Sequence, residues 1–225
     1  MTDDFPLTVR NSRRAKYLKI RIDAERGEAV LVIPPGCSRR AAADFAARHR
    51  VWIKDKLAKI KPRIRFAAGD TVDMLGRRYR IVFHAGENGH YSRLNDGVVD
   101  VYGEPGNVHG EVIKQARKIF TNYAWKKAFE LAAVLGVKIH DITVKVIKSR
   151  YGSCSSLGNI NLSLSLAFAP LFVTDMVIAH EVSHLKHMNH GREFRRTLAK
   201  LCPDVREADR WLKENAAELR RIVLL

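Results

Sequence analysis

At 225 residues, with 46% hydrophobic and 28% charged side chains, the chain can bury a proper core as one large or two small domains, and it is too apolar to be disordered. Its 40 Lys and Arg against 24 Asp and Glu leave a net charge of +16, which attracts polyanions but by itself specifies no ligand. Three widely spaced cysteines, Cys37, Cys154 and Cys202, exclude a disulfide framework and a Cys-x-x-Cys metal module, and no run approaches the eighteen apolar residues that span a bilayer. Met1-Thr2-Asp3-Asp4-Phe5-Pro6 has neither a basic nor an apolar signal region, so a cytoplasmic protein without membrane attachment is expected.

In chain order, alternation in Leu18–Asp23, a turn at Arg26-Gly27-Glu28 and the apolar run from Ala29 to Ile33 predict a β-hairpin closed by Pro34-Pro35-Gly36. Ser38 can cap a single helix running to about Lys61, with Phe45, Trp52, Ile53, Leu57 and Ile60 at core spacing. Two strand pairs follow: Thr71–Leu75 with Tyr79–Phe83 across Gly76, and Tyr91–Leu94 with Val98–Tyr102 across Asn95-Asp96-Gly97. Glu104-Pro105-Gly106 reads as a boundary, giving a β-rich region over 1–105 with one helix and a second domain over 106–225. The second domain opens with a long helix, Val108 to Leu135, terminated by Gly136. Ile142–Val146 alternates as a strand, Ser149–Gly158 is rich in turn residues, and Ile160–Phe168 returns to strand character before Pro170 opens a further helix. Pro203 interrupts the last helical region, which resumes near Asp204.

The helix after Pro170 carries His180-Glu181-Val182-Ser183-His184. Residues four apart share a helix face, so His180 and His184 can offer two imidazoles to one Zn²⁺. Glu181, one step of about 100° around the helix, stands beside the metal and can take a proton from its water. A tetrahedral catalytic site needs a third protein ligand. His187 continues the same stripe about 10 Å along the axis from His180, which disfavours it, since three imidazoles strung along one stripe do not easily converge on one ion. If the helix ends near Met188 and Asn189, with Gly191 left-handed, the chain can turn and return His190 to the ion. The spacing from His184 to His190 equals that of the metzincin motif, with His187 where that motif has its turn glycine.

Beyond these ligands, the chain resembles the YgjP-like zinc metallopeptidases, which are related to the SprT-like proteases and share the zincin fold. The likeness rests on Arg13-Arg14-Ala15-Lys16, Val32-Ile33-Pro34, Trp52-Ile53, Leu75-Gly76-Arg77-Arg78-Tyr79, Ser149-Arg150-Tyr151-Gly152-Ser153-Cys154-Ser155, and His180–Leu185 with Asn189-His190-Gly191 and Phe194. Tyr151, Ser163, Met176 and Arg195 depart from the residues usual there, and none is a ligand position. The resemblance implies zinc on His180, His184 and His190 with Glu181 as general base, and an α+β fold in which a β-rich N-terminal region precedes a zincin-like domain with an antiparallel sheet packed on helices.

The expected function is a zinc metallohydrolase, a metallopeptidase acting on peptides or proteins. The resemblance also allows hydrolysis of a nucleoside triphosphate, UTP, to which the basic residues are suited. A third reading is a DNA-associated protease or a nucleic-acid or protein binding module with a structural metal. The intact Glu181 argues against that last form, since a structural site has no use for a base, and no helix-turn-helix, RNP or zinc-finger pattern accompanies the charge.

Overall fold

The computed structural model describes residues 5–24, 26–86, 89–147 and 149–224, so the stretch Met1–Asp4 read above for targeting lies outside the described residues. The chain is α+β and divides into two compact units, residues 1–63 and 64–225.

In the first unit β1 (Leu7–Asn11) pairs parallel with β3 (Glu28–Ile33), and β2 (Lys19–Asp23) pairs antiparallel with β3's other edge. Leu31 on one face packs with Leu7, Ile20 and Ile33 against Ala42, Phe45 and Ala46 of α1 (Arg39–Arg48). Ser38 caps α1, its hydroxyl accepting from the Ala41 N–H at 3.1 Å. The single helix expected to run to Lys61 is two, because His49 leaves helical geometry and α2 (Arg50–Ala58) starts anew. Its ring nitrogen turns back to the Phe45 carbonyl at 2.8 Å. The break rotates α2 so that Ile53 is buried while Trp52, expected in the core, is 42% exposed.

The second unit begins with a four-stranded sheet ordered β4-β5-β7-β6, from β4 (Thr71–Met74), β5 (Arg77–Ala85), β6 (Tyr91–Asn95) and β7 (Val98–Gly103). Leu75 and Gly76, both at positive φ, make the tight turn between β4 and β5. The 28-residue α3 (Val108–Leu135) ends, as expected, at a left-handed Gly136. The predicted boundary at 105 falls inside this unit because the sheet and α3 share one core, in which Ile81, Val99 and Val101 meet Val112, Ala116 and Phe120. Polar contacts reinforce the join: the Ser92 hydroxyl donates to the Glu111 carboxylate at 2.6 Å, and the Gln115 amide donates to the Ser92 carbonyl at 2.8 Å.

Ala116, Ala124 and Ala128 form a fully buried small-residue stripe on α3, and small residues at a helix contact let neighbours approach closely. Against α3 lie a 3₁₀ segment (Leu164–Phe168) and α4 (Leu171–His184). β8 (Asp141–Lys145) runs parallel to β10 (Asn159–Ser163), and β9 (Gly152–Cys154) pairs antiparallel with β10's other edge, so this sheet is mixed rather than antiparallel. β9 lies in the stretch read as turn, and β10 stops at Ser163, where the backbone tightens into the 3₁₀ segment that was read as strand. α5 (Arg192–Leu201) and α6 (Val205–Arg221) complete the unit, and no helix of the described residues is long and apolar enough to cross a membrane.

Near the start of α3, His109 ties two distant segments together. Its Nδ1 accepts from the Phe66 N–H at 3.0 Å, so its Nε2–H donates to the Val223 carbonyl at 2.8 Å and the ring is neutral. Burial, opposed by the Val223 bond and assisted by Arg65, holds its pKa below the usual 6.5. A folded-state pKa below the unfolded value gives stability that is present above pH 6.5 and lost as pH falls, because the unfolded chain takes the proton first. Unfolding free energies measured at pH 7.5 and pH 5 should therefore fall further for the wild type than for His109→Gln, by an amount on the order of 1 kcal/mol. Equal drops in the two proteins would remove His109 as the cause.

Candidate metal centre

α4 is largely apolar, as a helix packed into a core must be, with Val173, Met176, Val177, Ile178, Ala179 and Val182 buried, while Thr174 donates to the Leu166 carbonyl at 2.9 Å and Asp175 accepts from the Tyr123 hydroxyl. Its last turn carries the remaining polar residues. The helix ends at His184, one turn earlier than Met188, and Leu185, Lys186 and His187 tighten onto the Val182 and Ser183 carbonyls. The chain then reverses without a left-handed Gly191, which has φ −68° and instead caps α5. This reversal returns His190 to α4.

The ligand-capable nitrogens of His180, His184 and His190 all lie within 4.8 Å of one another, and Nε2 of His190 is 3.1 Å from Nε2 of His180. Tetrahedral ligands with bonds near 2.0–2.1 Å stand about 3.3 Å apart, so the three imidazoles fit one such ion with little adjustment. His184 Nδ1 faces the His187 carbonyl at 3.0 Å, which commits that nitrogen as the donor and leaves Nε2 for a metal. His187 thus contributes backbone rather than its ring. Phe194, on the first turn of α5 and itself buried, lies with its ring centroid 4.6–4.9 Å from all three imidazoles and floors the cluster with hydrocarbon.

Burial, with the neighbouring imidazoles, pushes His180 down to about 4, and burial also lowers His184, so both are neutral at pH 7 as metal ligation requires. Glu181 is 5% exposed, and burial raises its carboxyl to about 7 against the opposing pull of the Arg150 guanidinium. Its side chain rests on the backbone of β9: a Cβ added at Gly152 would lie 2.7 Å from Glu181 Cγ and 2.8 Å from Cδ. Only glycine leaves room there. Cys154, on the same strand, is raised to about 11 by burial and by Glu181, so it is a neutral thiol at pH 7 and a poor nucleophile.

Of the four residues singled out from the sequence, the three histidines meet in one place, and Glu181 follows His180 on α4 with its side chain against Gly152. Sequence reasoning missed the Phe194 floor and the Gly152 cradle as parts of the site. Both stood in the motifs quoted above, and a glycine beside an expected base was the available signal.

The family model described as YgjP-like, metallopeptidase domain, matches residues 16–215. Among solved structures, the metallopeptidase zymogen of Pyrococcus abyssi abylysin is similar at 20% identity, covering 40% of this chain and 93% of that one with a TM-score of 0.37. No curated protein matches. With some nine-tenths of its length matched, the chain belongs to the YgjP-like metallopeptidase-domain family.

Proposed function

We propose that the chain is a zinc-dependent peptidase in which His180, His184 and His190 hold the ion and Glu181 is the general base. The observation that carries this reading is the convergence of three imidazoles beside a buried carboxylate that is itself seated on a strand. When bound, Zn²⁺ supplies Lewis acidity, which activates water and polarises a carbonyl. Glu181 accepts the proton of the attacking water and returns it to the leaving amine. Its fixed place on Gly152 means that little reorganisation precedes the transfer.

β9 is an edge strand in the order β8-β10-β9. An extended peptide adding to its free side would run beside Glu181, with main-chain hydrogen bonds giving affinity largely independent of sequence. Arg150, exposed and two residues before Gly152, keeps positive charge near the carboxylate.

The purified protein should carry about one zinc per chain, as three protein ligands and one open position imply. His190→Ala should lower zinc content much more than His187→Ala, whose ring the proposal does not use. The reverse ranking in elemental analysis would overturn the ligand set.

Glu181→Gln should keep zinc and fold but lose about 10²- to 10⁴-fold in peptide hydrolysis, the usual worth of a general acid-base group. Gly152→Ala should act in the same direction with zinc retained, since its methyl displaces the Glu181 side chain. Peptides, a denatured protein and nucleoside triphosphates should be assayed on one sample. Turnover confined to the triphosphates would refute the peptidase reading, and full activity of Glu181→Gln would refute the proton-transfer role.

A further inference from the structure

The positive charge is unevenly divided. Residues 1–63 hold 16 Lys and Arg against 7 Asp and Glu, a net +9 of the chain's +16 in little more than a quarter of its length. Within this unit the pairing register gathers part of that charge on one sheet face. Arg10 and Lys19 lie directly across Val32 from each other, and Arg21 lies across Val30 from Thr8. Since side chains alternate along strands, these point away from the face on which Leu31 packs against α1. All three basic residues are exposed.

The connection from β1 to β2 extends the patch. It passes the end of β3, fixed by the Ser12 N–H donating to the Ile33 carbonyl at 2.9 Å and the Ala15 N–H donating to the Ser12 carbonyl at 3.1 Å. This turn projects Arg13, Arg14 and Lys16, all exposed, beside Tyr17, which is 79% exposed. Among the described residues none of Arg10, Arg13, Arg14, Lys16, Lys19 or Arg21 has an ion pair. The acids of the same face, Asp23 and Glu28, sit at the opposite end, where the Arg26 N–H, the Thr8 hydroxyl and the Arg26 guanidinium engage them.

We infer that this face and its Arg13–Tyr17 turn form a binding surface for single-stranded nucleic acid. Clustered unpaired cations match a phosphate backbone, which releases its counterions on binding. An exposed aromatic ring among them offers a stacking platform that any unpaired base can use and that a closed duplex cannot. An anionic membrane would recognise the same charge, but membrane-surface binding needs a broad apolar face to insert, and a lone Tyr in a tight turn is not one.

The test uses the full chain and a fluorescent 20-nucleotide single strand, with the matching duplex and phosphatidylserine vesicles as competitors. The single strand should bind at low salt. Replacing Arg13, Arg14 and Lys16 together by Ala should weaken binding more than tenfold and lower the log–log salt slope by about 2, at roughly 0.7 per lost charge. Tyr17→Ala should weaken single-strand binding several-fold at unchanged salt slope, with Tyr17→Phe restoring it. As a control for bulk charge, replacing the exposed Arg206, Arg210 and Lys213 of α6 by Ala should leave affinity within about twofold. Circular dichroism melts would show that each variant is folded. No binding at low salt, equal loss in the α6 variant, tighter binding of the duplex, or displacement by the vesicles would each overturn the inference. Peptidase assays of the same variants should be unchanged, so this outcome stands apart from that of the metal site.

Discussion

The candidate site depends on the burial of ionisable side chains at the end of a largely apolar helix. Placing His180, Glu181 and His184 inside that wall disfavours their charged forms, which keeps the imidazoles neutral and raises the carboxyl. Such a cluster is costly unless its polar atoms find partners. The surrounding elements answer part of that cost: the His187 carbonyl accepts from His184, the reversal after α4 sets His190 beside His180, and the Arg150 charge opposes the rise of the Glu181 carboxyl, which packs against Gly152 of β9. Even the distant sheet is tied in, because the Leu75 N–H donates to the Ala167 carbonyl at 2.9 Å, just before α4 begins.

What the sequence made legible was whatever short-range chemistry determines. α3 was readable to the residue because a 28-residue helical pattern meets a glycine that adopts the left-handed cap, and the hairpins around Gly76 and Asp96-Gly97 were readable from turn chemistry. The pairing of His180 with His184 follows from helix geometry alone. The convergence of His190 was reached by the right requirement, a reversal, through the wrong device, since Gly191 is not left-handed and α4 stops sooner.

The misses share a cause in tertiary context. Nothing local marks His49 as a break, and three residues of Gly-Ser-Cys look like turn until β10 supplies a partner. Pro105-Gly106 looks like a boundary because it punctuates the chain, although the strands before it and the helix after it fill one core. Charge behaved the same way: its total was plain, but its arrangement across Val30 and Val32 needed the register of three strands.

The three imidazoles differ in access. His180 and His184 are set into α4, whereas His190, although it too touches Phe194, is exposed on a connecting loop. Were an ion held by these three residues, His190 would be the ligand able to move without disturbing the core, since it alone does not belong to α4. The rate at which a chelator could strip such an ion would then be governed by the mobility of one connecting loop, while the affinity would reflect all three ligands.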